Sequence, residues 1–168
     1  MLFETTVPQF TKMLENLNVL MDKADSFAKE KKFEVDVLLN SRLAPDQFNF
    51  IRQVQIACDT AKLGASRLTG KEAPTFEDSE KTLSQVKERV TNTAKYLKTL
   101  TAQDFKGAEE KQIKTPRWED NYLTGFDYVQ SHVLPNFYFH ITTAYAILRH
   151  NGVDVGKKDY LGALPFKK

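Results

Sequence analysis

Four stretches of the chain place apolar residues at alternating steps of three and four, and that spacing leaves the backbone little besides amphipathic helix. Phe3, Val7, Phe10, Leu14, Leu17, Met21, Ala24 and Ala28 form the first stripe. Ile51, Val54, Cys58, Ala61, Ala65 and Leu68 form the second, ended by Gly70. Leu83, Val86, Val90, Ala94 and Leu97 form the third. Leu134, Phe137, Ile141, Ala144 and Leu148 form the fourth, closed by Asn151-Gly152 as a left-handed cap. Each stripe is narrow, so each helix has one face to hide. The predicted fold is all-α, a four-helix bundle, as a single domain over residues 1–168.

The connections carry their own signals. Pro45 disfavours helix at Ala44, so "RLAPDQ" reads as the break before the second helix, with a short helical turn at Val35–Asn40. Thr75, with Asp78 three residues on, is the expected N-cap of the third helix. From about Thr101 to Leu123 the chain is polar and contains Gly107, Pro116 and Trp118, too long a stretch for a tight helix–helix turn. Within this long connection before the last helix, "KQIKT" and "NYLTG" are expected to pair as a small hairpin across "PRWED".

Charge excludes some functions. Lys and Arg number 24 against 22 Asp and Glu, and the two signs are interleaved. The nearest basic blocks, Lys29–Lys32 and Lys167–Lys168, read as solvated ends, so no nucleic-acid-binding face is expected. No stretch reaches the roughly 18 apolar residues of a membrane span. "MLFETTVPQF" lacks a basic segment followed by an apolar run, and Cys58 alone cannot form an internal disulfide, so the expected setting is the cytoplasm. Neither a phosphate-binding glycine loop nor H-E-x-x-H is present.

All three histidines fall in "HVLPNFYFHITTAYAILRHNG", His132 to Gly152. His132, Asn136 and His140 are spaced by four, as ligands on one helical face would be, but the middle one is an amide. At about 100° per residue, His140 lies roughly 80° from the centre of the fourth stripe, Asn136 roughly 120° and His132 roughly 160°, close to solvent. Gln55 lies roughly 90° from the centre of the second stripe. Gln55 and His140 are therefore boundary positions, suited to a crevice between helices. His150 is roughly 15 Å along the axis from His140, out of reach of a shared site, and is expected to interact with the free carbonyls at the helix end. Pro135 is expected to kink the helix and turn Asn136 and His140 inward. Asp59 either pairs with Lys62 or Arg52 or offers a carboxylate near the pocket; Arg42 and Asp46 either close the pocket mouth or pair together. Cys58 lies within its stripe and reads as core. Phe139 points away from the fourth stripe and, with Tyr138, would cover a second helix face or a subunit interface, which leaves a homodimer open.

"HITTAYAILRHNGVDVGKKDYLG" resembles the last-helix signature of the DinB/YfiT-like metalloenzyme superfamily: a histidine, a polar turn of small residues, an apolar run, Leu-Arg, and a glycine twelve residues on. His140, Leu148-Arg149 and Gly152 match that pattern. "LLNSRLAPDQFNFIRQVQIACDTAK" and "LPNFYFHITTAYAILRHNG" look more closely like one bacterial branch, a domain-of-unknown-function family. The resemblance implies up-down-down-up topology. In its metal-binding members three histidines hold a divalent ion, one from helix two and two spaced H-x-x-x-H in the last helix. Carried over, these positions hold His140, Asn136 and, nearest on helix two, Gln55. One imidazole of three remains, and neutral amides are weak ligands for zinc or nickel. The expectation is therefore no metal and a small polar pocket for an unidentified small molecule, drawn from Gln55, Asp59, Asn136, His140 and Arg42. Two alternatives stand beside it: a thiol-transferase or hydrolase-like enzyme using a zinc, nickel or iron ion on His140, and an oligomerising interaction module. The sequence names no reaction.

Overall fold

A computed structural model describes residues 1–167; Lys168, half of the terminal lysine pair, lies outside the described residues. The four stripes become four helices: α1 (Leu2–Lys31), α2 (Phe50–Thr69), α3 (Leu83–Lys98) and, after the short α4 (Gly125–Tyr128), α5 (Leu134–His150). A final turn, α6 (Lys157–Leu161), packs back on α1. Every stripe residue is buried except Phe3, Ile51 and Leu134, which are half-buried at the bundle rim. The 3-10 turn at Val35–Asn40 follows α1, as its sequence predicts.

Side-chain contacts fix the helix directions. Lys87 meets Asp22 and Lys98 meets Glu15, so α1 and α3 run antiparallel. Gln53 meets His140 and Thr60 meets Asn136, so α2 and α5 run antiparallel. Asp59 meets Arg89 and Ser66 meets Tyr96, so α2 and α3 run parallel. Phe10 packs on Phe137 at 4.3 Å between ring centroids, and Phe27 lies against Gly152 beyond the end of α5, so α1 and α5 also run parallel. The order is up-down-down-up. Two parallel neighbours need a long connection, and residues 70–82 supply it as an extended strap across the bundle.

That strap corrects one expectation. The third helix does not begin after Thr75. Thr82 caps it: its Oγ1 accepts from the Gln85 N–H at 3.3 Å, and Gln85 Oε1 accepts from the Thr82 N–H at 3.2 Å. Thr75 and Asp78 match the spacing of a capping box, but Thr82 and Gln85 match it directly beside the apolar stripe, where helix burial can reinforce the cap.

The hairpin forms with two residues per strand, β1 (Gln112–Ile113) antiparallel to β2 (Leu123–Thr124). Thr124 then caps α4, accepting from the Asp127 N–H at 3.1 Å. Gly125 is required there, because a Cβ would sit 1.8 Å from the Ala108 carbonyl oxygen. Between α4 and α5 the rod widens into a π-turn at Val129–Val133. Pro135 accounts for it: the residue has no N–H for the Ser131 carbonyl, and its ring crowds that oxygen. Among the described residues no helix is long and apolar enough to cross a membrane.

Candidate functional site

α2 carries two different polar flanks, one facing α5 and one facing α3. On the α5 side, Gln53 is the residue that meets His140. Gln53 Nε2 donates to the Phe48 carbonyl at 2.9 Å, which turns its Oε1 toward the imidazole. An amide oxygen only accepts, so the proton of the 2.6 Å contact sits on His140 Nδ1. The tautomer is thereby fixed and the Nε2 lone pair is left without a protein donor. That atom is not sealed off either, since it is absent from the buried unpartnered atoms of the chain. His140 is 6% exposed. Burial, with the nearby positive charge of Arg52, pushes its pKa down to about 4, so the ring is neutral near pH 7.

Asn136 lies on the same flank, one turn away, and donates to Thr60 Oγ1 at 2.7 Å. Gln55 is not part of this group. It faces α3, accepting from Arg52 at 3.1 Å and donating to Glu80 at 2.8 Å. Asp59 also faces α3, pairing with Lys62 at 3.1 Å, as the sequence suggests, and with Arg89 at 2.8 Å. Arg42 stays in its own loop, with one long bond to the Pro45 carbonyl at 3.4 Å, and it does not pair with Asp46. His150 is exposed at the helix end, where Asn151 bonds the Ile147 carbonyl instead. His132 is exposed, as its angle predicts, yet its ring is stacked on Tyr128 and lies edge-on to Trp118. Burial and then the charge of Arg67 lower its pKa. Phe139 is 56% exposed beside His140.

The α3 flank holds a charge cluster that the sequence reading did not find. Arg89 bonds Glu80 and Asp78, each at 2.9 Å, in addition to Asp59. Arg52 also pairs with Asp78. The cluster clamps the strap onto α2 and α3. Burial pushes the Asp78 and Glu80 carboxyls up, but hydrogen bonds from Arg52 to Asp78 and from Arg89 and Gln55 to Glu80 outweigh it, and both lie below the usual carboxylate range. The aromatic face of Phe76 covers Lys62 and Arg89. Cys58 lies under the cluster; burial drives its thiol up to about 12, so it is an unreactive core residue.

The donors around His140 do not make a zinc or nickel site. They are one imidazole, the amides of Gln53 and Asn136 and the hydroxyl of Thr60, and Gln53 and Asn136 already hold protein partners. Among the described residues, no three His, Cys, Asp or Glu side chains gather where they could hold a metal ion.

Relatives carry the same architecture. A crystal structure described as a DinB family member protein from Shewanella denitrificans is 59% identical, with 100% of this chain and 96% of that one covered and a TM-score of 0.97. No curated protein matches the chain. The family described as a domain of unknown function, DUF1993, matches residues 2–161. With a full-length likeness to a DinB family member and a family match over nearly every residue, the chain belongs to this DinB-like family, DUF1993.

Proposed function

We propose that the protein is a cytoplasmic, metal-free DinB-like bundle that binds a small polar molecule in the crevice between α2 and α5. The observation that carries this reading is the fixed tautomer of His140. The Gln53 amide holds Nδ1–H, so Nε2 presents a lone pair to whatever occupies the crevice. A neutral imidazole held this way accepts a hydrogen bond from an alcohol, thiol or amide of the ligand.

Untagged protein, dialysed against a chelator, tests the metal part: the expected zinc, nickel and iron contents are far below one per chain. A stoichiometric ion that survives dialysis overturns it. For the ligand part, a panel of small alcohols, thiols and amides is titrated while the His140 ring is followed by nitrogen NMR. Shifts concentrated at Nε2, and absent in His140→Leu, support the site. A panel that leaves the ring unmoved refutes it.

A further inference from the structure

A separate open pocket of about 490 Å³ lies just before α5, between the hairpin loop and the π-turn. Its size falls within the range of small-molecule sites. One wall is the loop joining β1 to β2. There the Trp118 carbonyl accepts from both the Asn121 N–H at 2.9 Å and the Asn121 side chain at 3.2 Å, pinning the turn. Between them Glu119 is held at φ 52 and ψ -122, a conformation that favours glycine. The opposite wall is the π-turn, which carries Ser131 and His132. Widened turns of this kind recur at functional sites.

The polar groups here differ from those of the α2–α5 crevice. At the crevice His140, Gln53 and Asn136 bond one another or neighbouring protein atoms. In the pocket, Arg117, Glu119, Ser131 and His132 are exposed and form no hydrogen bond or ion pair with another side chain among the described residues, so they are free to turn toward a ligand. Arg117 and Glu119 flank Trp118, opposite in charge, yet they do not pair. Trp118 and Tyr122 add flat apolar surface to the lining. The strain at Glu119 points the same way, since asparagine or glycine would fit that backbone at lower cost.

From this arrangement we infer that the cavity is a binding site for a small aromatic zwitterion, an α-amino acid with a planar side chain. Its carboxylate faces Arg117, its ammonium faces Glu119, and its ring packs on Trp118 and Tyr122. Ser131 and His132 supply the remaining hydrogen bonds. Bidentate Arg–carboxylate pairing and ring stacking are each strong enough to make such a site selective. The site is independent of the crevice at His140.

Trp118 is the only tryptophan of the chain, so its emission reads this cavity directly. L-phenylalanine and L-histidine, excited through at the red edge of the indole band, are titrated into the full-length protein. The expected result is a saturable change in emission with at least one of them. The corresponding amine without its carboxylate, and the acid without its ammonium, bind at least tenfold more weakly. Arg117→Gln and Glu119→Gln, both at exposed positions, each weaken binding about tenfold, whereas His140→Leu leaves it unchanged. No saturable change with either amino acid overturns the inference. So does equal binding of the truncated analogues, or full binding by both cavity variants.

Discussion

Replacing Arg89 with Met is the sharpest test of how the strap is held. Met keeps most of the apolar stem and removes the charge that joins Asp59, Asp78 and Glu80. The three partners are unequal. The Arg89 side chain is 2% exposed and that of Glu80 10%, so their pair is a desolvated one. Removing one partner from such a pair costs about 3 kcal/mol. Asp59 and Asp78 are far more exposed, and their pairs are screened to about 0.5 kcal/mol each. Arg89 Nε is buried without a partner, which offsets a part of the gain. The expected loss at pH 7 is therefore about 3–4 kcal/mol, measured by urea unfolding. Glu80→Gln in the same background should recover part of it, because the orphaned carboxylate becomes a neutral amide, and the double-mutant cycle should return about 2 kcal/mol of coupling. The pH dependence follows from the carboxyl shifts. Asp78 and Glu80 sit below their ordinary values of 3.8 and 4.5 in the folded state, so their contribution is complete above the unfolded values and is lost as pH falls through the folded ones. The gap between wild type and Arg89→Met should close as the solution is acidified. A loss under about 1 kcal/mol at pH 7, or a gap that stays constant with pH, refutes the account.

Two further outcomes follow. His140 has its pKa lowered from 6.5 to about 4, so wild-type stability should fall as pH drops from 6.5 to about 4, by at most about 3 kcal/mol, and be level in this term outside that window. His140→Leu should remove that slope while costing about 1–2 kcal/mol at pH 7 from the orphaned Gln53 oxygen; an unchanged slope in urea titrations would assign the acid sensitivity elsewhere. Glu119→Gly should raise stability by about 1 kcal/mol, because the positive φ is then unstrained, and should weaken amino-acid binding at Trp118; a lower thermal midpoint would contradict the strain.

The helices, their caps at Gly70 and Gly152 and the pairing of the two hairpin segments were legible because each rests on a local rule. The partners of α2 were not. Gln55 and Gln53 lie at similar angles from the stripe centre, roughly 90° and 110°, but on opposite sides of it. The size of the angle marks a boundary position; its sign selects the neighbouring helix. Thr60 and Gly64 share the Gln53 side, and Asp59 and Lys62 share the Gln55 side. A small residue such as Gly64, whose Cβ would meet Val133 at 2.9 Å, marks the flank where the π-turn leading into α5 approaches closely. Arg89 stayed hidden for a different reason. Two of its three carboxylate partners, Asp78 and Glu80, lie on the strap, and a helix beginning at Thr75 would carry both along its own axis, out of reach of Arg89.

The two sites place opposite demands on the same rod. α5 has to hold His140 firmly against α2, and it does so with regular helix and satisfied amides. One turn before α5 begins, the rod widens into the π-turn, Ser131 and His132 stand exposed on it, and the strained Glu119 faces it from the hairpin loop. Pro135 separates the two regimes, because it ends backbone bonding to the Ser131 carbonyl without unwinding α5 itself. An ordered crevice is suited to presenting a fixed acceptor, since little has to be rearranged when a ligand arrives. An open pocket with exposed charges of both signs draws its selectivity from a ligand that meets both at once while its ring packs on Trp118. Restoring a hydrogen-bonding residue at Pro135 should therefore tighten the π-turn toward ordinary helix and alter the Trp118 cavity, while His140 keeps its bond to Gln53.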